Sequence, residues 1–199
     1  QAPASNVHEL IRDRRSPYGF LDTPGSDEAL RALFEAARWA ASSYNEQPWR
    51  YLVARKQDAR AYERILSILV EGNRAWARHA PVLALGLVST RFVRNDKPNV
   101  AAHHDLGAAS AQLTFEATRR GLVVHQMIGI EPEKARALYD LPEGIEAVTG
   151  LAIGRASAPE ATPEAFRERD LAPRQRRAMD ETVFEDAWAA PASWLTSDD

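Results

Sequence analysis

The chain has 199 residues, 45% of them hydrophobic and 27% charged, which suits one soluble globular domain with a sizeable core. A formal net charge of -3 argues against a general nucleic-acid surface, and the lack of any cysteine excludes disulfides, thiolate metal sites and cysteine nucleophiles. No stretch approaches the ~18 consecutive apolar residues of a membrane span. Gln1 to Asn6 lack the charged and apolar regions of a leader, so the cytoplasm is the expected compartment.

Residues 6–14 read as a short helix that stops at Ser16-Pro17, because the residue before a proline avoids helical geometry. Pro24-Gly25-Ser26 reads as a turn feeding a helix cap, and Leu30, Leu33, Phe34 and Ala37 follow with helical spacing. Residues 42–48 form a polar loop, and Trp49 to Arg55 reads as a strand. A helix is predicted over about 58–71, with Gly72-Asn73 as its C-terminal cap. Pro81 precedes a buried strand at 82–89, and the charged segment Arg91 to Asn99 reads as a mobile loop. The clearest helix covers 102–120 and stops at Gly121, where Leu122-Val123-Val124 starts a strand. A helix over about 132–140 and a strand over about 147–154 complete the compact part.

Helices first, then strands alternating with helices, predict an α/β (α+β) fold: a three-layer α-β-α sandwich with a mixed central sheet. The pattern weakens beyond Gly154, where four prolines and a basic cluster follow. Phe184, Trp188 and Trp194 are costly to leave in water, so residues 155–199 are expected to lie on another surface, with a partner subunit as the natural candidate.

Two segments carry candidate chemistry. Arg14-Arg15-Ser16 offers two guanidiniums and a hydroxyl for forked, charge-assisted bonds to a phosphate. On local grounds a solvated basic helix end is the commoner reading of such a triplet. Ser42-Ser43-Tyr44-Asn45-Glu46-Gln47-Pro48-Trp49 crowds hydrogen-bonding groups between a helix and a strand, enough to read a planar heterocycle or to build a self-capped turn. Adjacent His103 and His104 at a helix start point in different directions and lack the ligand set of a metal site. His125 reads as a packing residue beneath the segment that follows it. No Ser-His-Asp set, phosphate-binding P-loop or dinucleotide fingerprint is present.

Arg14-Arg15-Ser16 some thirty residues ahead of Ser-Ser-x-Asn-x-Gln-Pro-Trp resembles the nitroreductase family of flavoenzymes. The likeness continues in Ala80-Pro81, in Asp105 to Ala109, in Gly121-Leu122, in His125 to Gly129 and in Gly154. It runs on through Pro173-Arg174-Gln175-Arg176-Arg177, Glu181-Thr182-Val183 and Trp188, so it spans nearly the whole chain. The resemblance implies one FMN-binding domain over 1–199, forming a homodimer with FMN at the subunit interface. Arg14, Arg15 and Ser16 would bind phosphate, ribityl and flavin edge, and Arg174 with Arg176 would complete the phosphate site. Ser42, Ser43 and Asn45 would reach the FMN of the opposite subunit, with Gln47 supporting their loop. Gln126, Met127, Ile128 and Gly129 would line the isoalloxazine, backbone N–H groups facing N5.

The implied activity is hydride transfer from NADH or NADPH through flavin N5 to a small acceptor, a nitroaromatic, quinone or enal, in a ping-pong cycle. FMN carries the chemistry, so no catalytic acid or base and no metal are expected, and neither are nucleic-acid or membrane partners. The alternative is a non-catalytic flavin store or sensor of the same fold. Two departures stand out: Ala41 replaces a proline before the serines, and Tyr18 stands where the family carries a basic residue. Arg74 and Arg78 are the candidate replacements for that charge.

Overall fold

The computed structural model describes residues 7–23 and 25–195, so Gln1 to Asn6 and Pro24 of the expected turn lie outside the described residues. Two compact units result, Val7–Leu171 and a C-terminal unit that begins at Ala172.

In the larger unit, α1 is a single turn and a half, Glu9–Asp13, capped by the His8 ring accepting from Leu10 N–H. Helix α2 (Asp27–Arg38) starts at Ser26, whose hydroxyl accepts from Ala29 N–H at 3.1 Å, and buries Leu30, Leu33 and Ala37. Strand β1 (Trp49–Arg55) and strand β2 (Val82–Ser89) coincide with their predicted spans. Helix α5 (Ala102–Arg119), strand β3 (Val123–Met127), helix α6 (Pro132–Tyr139) and strand β4 (Ile145–Gly154) follow in the expected order.

The single helix expected at 58–71 is two: α3 (Ala59–Ile68) and α4 (Glu71–Ala77). Leu69 and Val70 between them are extended, with ψ of 141° and 155°. The break has a tertiary cause, because Leu69 pairs with Ile130 and Val70 N–H donates to Gly129 O at 3.1 Å. Gly72 and Asn73 therefore open α4 instead of capping its predecessor. The charged segment 91–99 closes on itself: Arg91 bridges Pro98, Phe92 N–H donates to Lys97 O, and Asp96 takes the left-handed position of the turn.

The sheet order is β1-β2-β4-β3, and every pair is antiparallel. The mixed sheet read from the sequence is thus corrected. Two helices, α3 and α4, separate β1 from β2 and return the chain to the same end, so β2 runs back along β1. Strands β2 and β3 do run the same way, but β4 inserts between them and removes the parallel pairing.

The three layers are those expected. Val82, Ala84 and Val88 pack with Leu33 of α2 and Leu106, Ala109 and Leu113 of α5. Leu83, Leu85 and Leu87 pack on the opposite face with Ile65 of α3, Trp76 of α4 and Ala135 of α6. Covered on both faces, β2 is buried from Val82 to Val88, which explains its unbroken apolar run. The register shifts at Gly86/Leu87, where Val148 of β4 is left unpaired. That one-residue bulge exchanges the faces of β4, so Ala147 and Leu151 lie on opposite sides despite equal parity.

Residues 155–171, assigned to the arm on sequence grounds, fold into this unit. Ala156 bridges Phe20, Ser157 N–H donates to Gly19 O, and this unit ends in helix α7 (Glu164–Leu171). In the C-terminal unit Phe184 bridges Pro191 and meets the Trp188 ring at 5.2 Å, and Glu185 accepts from the Ser193 N–H and hydroxyl.

Candidate functional site

Edge strand β3 organises the first half of the site. As α1 ends, Arg14 extends the chain and its Nη1 donates to Ser16 Oγ at 2.9 Å. Ser16 Oγ makes a long 3.4 Å contact with Val124 O, and His125 Nδ1 lies 2.9 Å from Pro17 O. A carbonyl only accepts, so His125 carries its proton on Nδ1 and clips the Arg-Arg-Ser-Pro loop to β3. Arg15 and Ser16 stay exposed.

The other face of that loop is apolar. Tyr18 stacks on Phe166 (5.1 Å) and meets Trp76 and His125 edge-on, while His125 lies 4.2 Å from Trp76. Asp170 of α7 fixes the turn by accepting from Tyr18 N–H, Gly19 N–H and the buried Thr162 hydroxyl. Tyr18 thus serves packing. The cation beside it is Arg169, 5.7 Å from the ring, whereas Arg74 lies on α4 and Arg78 at its C-terminal cap.

Burial lowers the His125 pKa, partly opposed by the bond to Pro17. The folded protein therefore favours the neutral ring. Its stabilising contribution is complete above the ordinary histidine pKa of about 6.5 and is lost as pH falls through the lower folded value. We expect the melting temperature to drop below that pH, and His125→Phe to flatten the drop measured by thermal scans. His79, also lowered by burial, adds to the slope in the same direction.

At its far end β3 passes into 126–129. Gln126 Nε2 donates to Thr114 Oγ1 (3.0 Å) and Ser110 O (3.3 Å) on α5, so its side chain is tied to the helix. The Met127 side chain is buried in the core, leaving only its backbone for any ligand. Ile128 is 83% exposed. Neither Ile128 N–H nor Gly129 N–H finds an acceptor among the described residues. Gly129 is wedged against α4: a Cβ there would lie 2.4 Å from Asn73 Nδ2, whose amide donates to Gly129 O at 2.9 Å.

The second half is the loop at 42–48. Ser42 Oγ accepts from Gln47 N–H, Gln47 Nε2 donates to Asn45 O and Oδ1, and Ser43 N–H donates to Asp105, buried in the first turn of α5. Tyr44, Asn45 and Gln47 all have φ between 51° and 56°. Non-glycine residues there cost roughly 1–3 kcal/mol each, and they persist only where surrounding bonds over-determine the backbone. These bonds do so. Helix α5 therefore carries the loop on Asp105 and the end of β3 on Ser110 and Thr114.

Arg174 and Arg176 belong to the C-terminal unit, where Arg176 Nη1 donates to Gln175 O. His103 faces Glu146 and His104 faces Asp105, and no metal-sized group of acids and histidines occurs among the described residues. No described helix is long and apolar enough to cross a membrane. Sequence reading missed Asp170, Asn73 and the anchoring role of Asp105. Only Asp105 left a signal, as an acid in the first turn of the longest helix.

Comparison with known proteins fits this geometry. A solved oxidoreductase containing FMN superposes with a TM-score of 0.88 at 31% identity, covering 96% of each chain. A provisionally named nitroreductase from Desulfovibrio desulfuricans, solved in complex with FMN, superposes with a TM-score of 0.70 at 25% identity, covering 90% of this chain and 96% of that one. A Streptomyces coelicolor protein provisionally named NADH dehydrogenase/NAD(P)H nitroreductase is 42% identical over 90 residues, which is 45% of this chain and 44% of that relative's length. The chain thus spans under half of that relative. The family model described as the nitroreductase family matches residues 11–155, from α1 through β4, and the chain belongs to the nitroreductase family.

Proposed function

We propose that the protein is an FMN-dependent oxidoreductase that takes hydride from NADH or NADPH and passes it to a small nitroaromatic, quinone or enal acceptor in a ping-pong cycle. The observation that carries this is the pair of open N–H groups at Ile128 and Gly129, directly after the edge strand that Ser16 abuts. A flavin mononucleotide fits that donor set. Its phosphate needs cationic forks, which Arg14 and Arg15 provide, and its ring edge needs donors held by backbone, which the end of β3 provides.

Bound FMN supplies the hydride chemistry at N5. The chain's own residues do the rest. Ser16 holds the ribityl side next to Val124, and Gly129, whose missing side chain leaves room for Asn73 and Val70 of the α4 region, keeps the backbone after β3 in place for the ring edge. Ser42, Ser43 and Asn45, on their strained and clamped loop, reach the FMN of a second subunit, and Gln47 braces Asn45. Arg174 and Arg176 complete the phosphate site, and the arm that carries them packs on the partner in a homodimer. The whole chain then acts as one FMN-binding domain, with the cytoplasm as its expected compartment.

Titration with FMN tests the binding part of this reading. Quenching of flavin fluorescence should saturate near one FMN per chain, and sedimentation should give a dimer. A protein that quenches no FMN would remove the site.

A further inference from the structure

The loop that carries Ser43 and Asn45 also has an outward feature. Tyr44 is 74% exposed, its edge-on neighbour is Phe92 at 5.8 Å, and the Arg94 guanidinium sits 4.1 Å from its ring centre. Val93 N–H donates to Glu46 Oε1 at 2.7 Å, which fastens the turn at 91–98 to the loop. Within that turn Arg91 is paired with Asp96, whereas Arg94 and Lys97 form no ion pair among the described residues. The two nearby acids, Glu46 and Asp96, are thus already engaged.

An arginine stacked on an aromatic ring has its plane fixed while its edge N–H groups stay available. That is a fork ready for a phosphate. The flavin phosphate is assigned to Arg14 and Arg15 on the β3 side, so a second phosphate-binding feature beside the flavin-facing loop calls for a second phosphorylated ligand. The only other one in the proposed reaction is the hydride donor.

We propose that Arg94 and Lys97 bind the 2′-phosphate of the donor, with Tyr44 and Arg94 offering a stacking surface to its adenine, so that NADPH is preferred over NADH. A phosphomonoester carries nearly two charges at neutral pH, which suits two cations three residues apart on one tight turn. This inference rests on the reading of the 42–47 loop as the border of the flavin.

Calorimetric titration of the FMN-loaded protein with 2′,5′-ADP and with 5′-AMP tests it. The bisphosphate should bind about tenfold more tightly or better, and Arg94→Gln should remove that advantage, as expected for loss of a charge-assisted fork. Lys97→Gln should have a smaller effect, about threefold, for a single point charge. In steady state Arg94→Gln should raise KM for NADPH about tenfold, with the change in KM and not in kcat. Equal affinities for the two nucleotides, or an Arg94→Gln protein that binds 2′,5′-ADP as before, would overturn the assignment. A protein that takes up no flavin would overturn the flavin reading, and titration of the flavin-free protein with the same two nucleotides would then decide separately whether Arg94 binds the 2′-phosphate.

Discussion

Replacing Arg14 with alanine is expected to raise the dissociation constant for FMN by about 10–100-fold, since a hydrogen bond to a charged group contributes about 1.5–3 kcal/mol. The position of this side chain supports an effect at the upper end. Arg14 follows the last turn of α1 with its Nη1 held on Ser16, so removing it also frees the hydroxyl proposed to contact the ribityl side. Arg12→Ala is the appropriate control, because Arg12 lies on the same helix and is paired with Asp13. Fluorescence titration of both variants separates a specific phosphate contact from a general loss of positive charge. Equal FMN affinity in wild type and Arg14→Ala would remove Arg14 from the site.

Gly129→Ala should damage both folding and flavin binding. The new Cβ would meet Asn73 Nδ2 at 2.4 Å and Val70 Cγ2 at 2.9 Å. Both are side-chain atoms and can move, but moving Asn73 breaks its bond to Gly129 O, and Val70 is held by its own N–H to the same carbonyl. Overpacking of this kind costs about 1–3 kcal/mol. For a chain of this size that lowers the melting temperature by about 2–4 °C per kcal/mol. The shift also displaces the two open N–H groups, so FMN affinity should fall with stability. Asn73→Ala separates the effects: it removes the clash partner and the bond but leaves the glycine, and should cost stability with less effect on flavin.

What the sequence made legible divides along a physical line. Strands β1 and β2 were readable to the residue because local punctuation bounds them, Pro48 and Pro81 before and charged or polar residues after. The Ser-Ser-x-Asn-x-Gln segment drew notice because its density of hydrogen-bonding groups exceeds what a turn requires, whereas Arg-Arg-Ser, locally no more than a basic helix end, stood out only through the family resemblance. The break between α3 and α4 was not readable, since its cause lies sixty residues downstream in the Gly129-Ile130 pairing. The antiparallel order was hidden for the same reason, as nothing local says that β4 enters between β2 and β3. Supporting residues were the least visible. Asp170 lies on a helix with no clear apolar face, where a carboxylate looks like any solvated charge. Only the fold shows it accepting from Tyr18, Gly19 and Thr162. Tyr18 itself read as a missing charge, and the structure makes it the hub of a ring cluster beside the Arg-Arg-Ser-Pro loop.

The proposed site binds FMN and moves hydride through it. Anaerobic mixing of the FMN-loaded protein with NADPH, and separately with NADH, followed by flavin absorbance, tests it most directly. Bleaching faster than about 1 s⁻¹ is expected with at least one donor, in the ordinary range of enzymatic turnover. Bound flavin that stays oxidised for minutes with both donors would contradict it and leave a flavin store of the same fold.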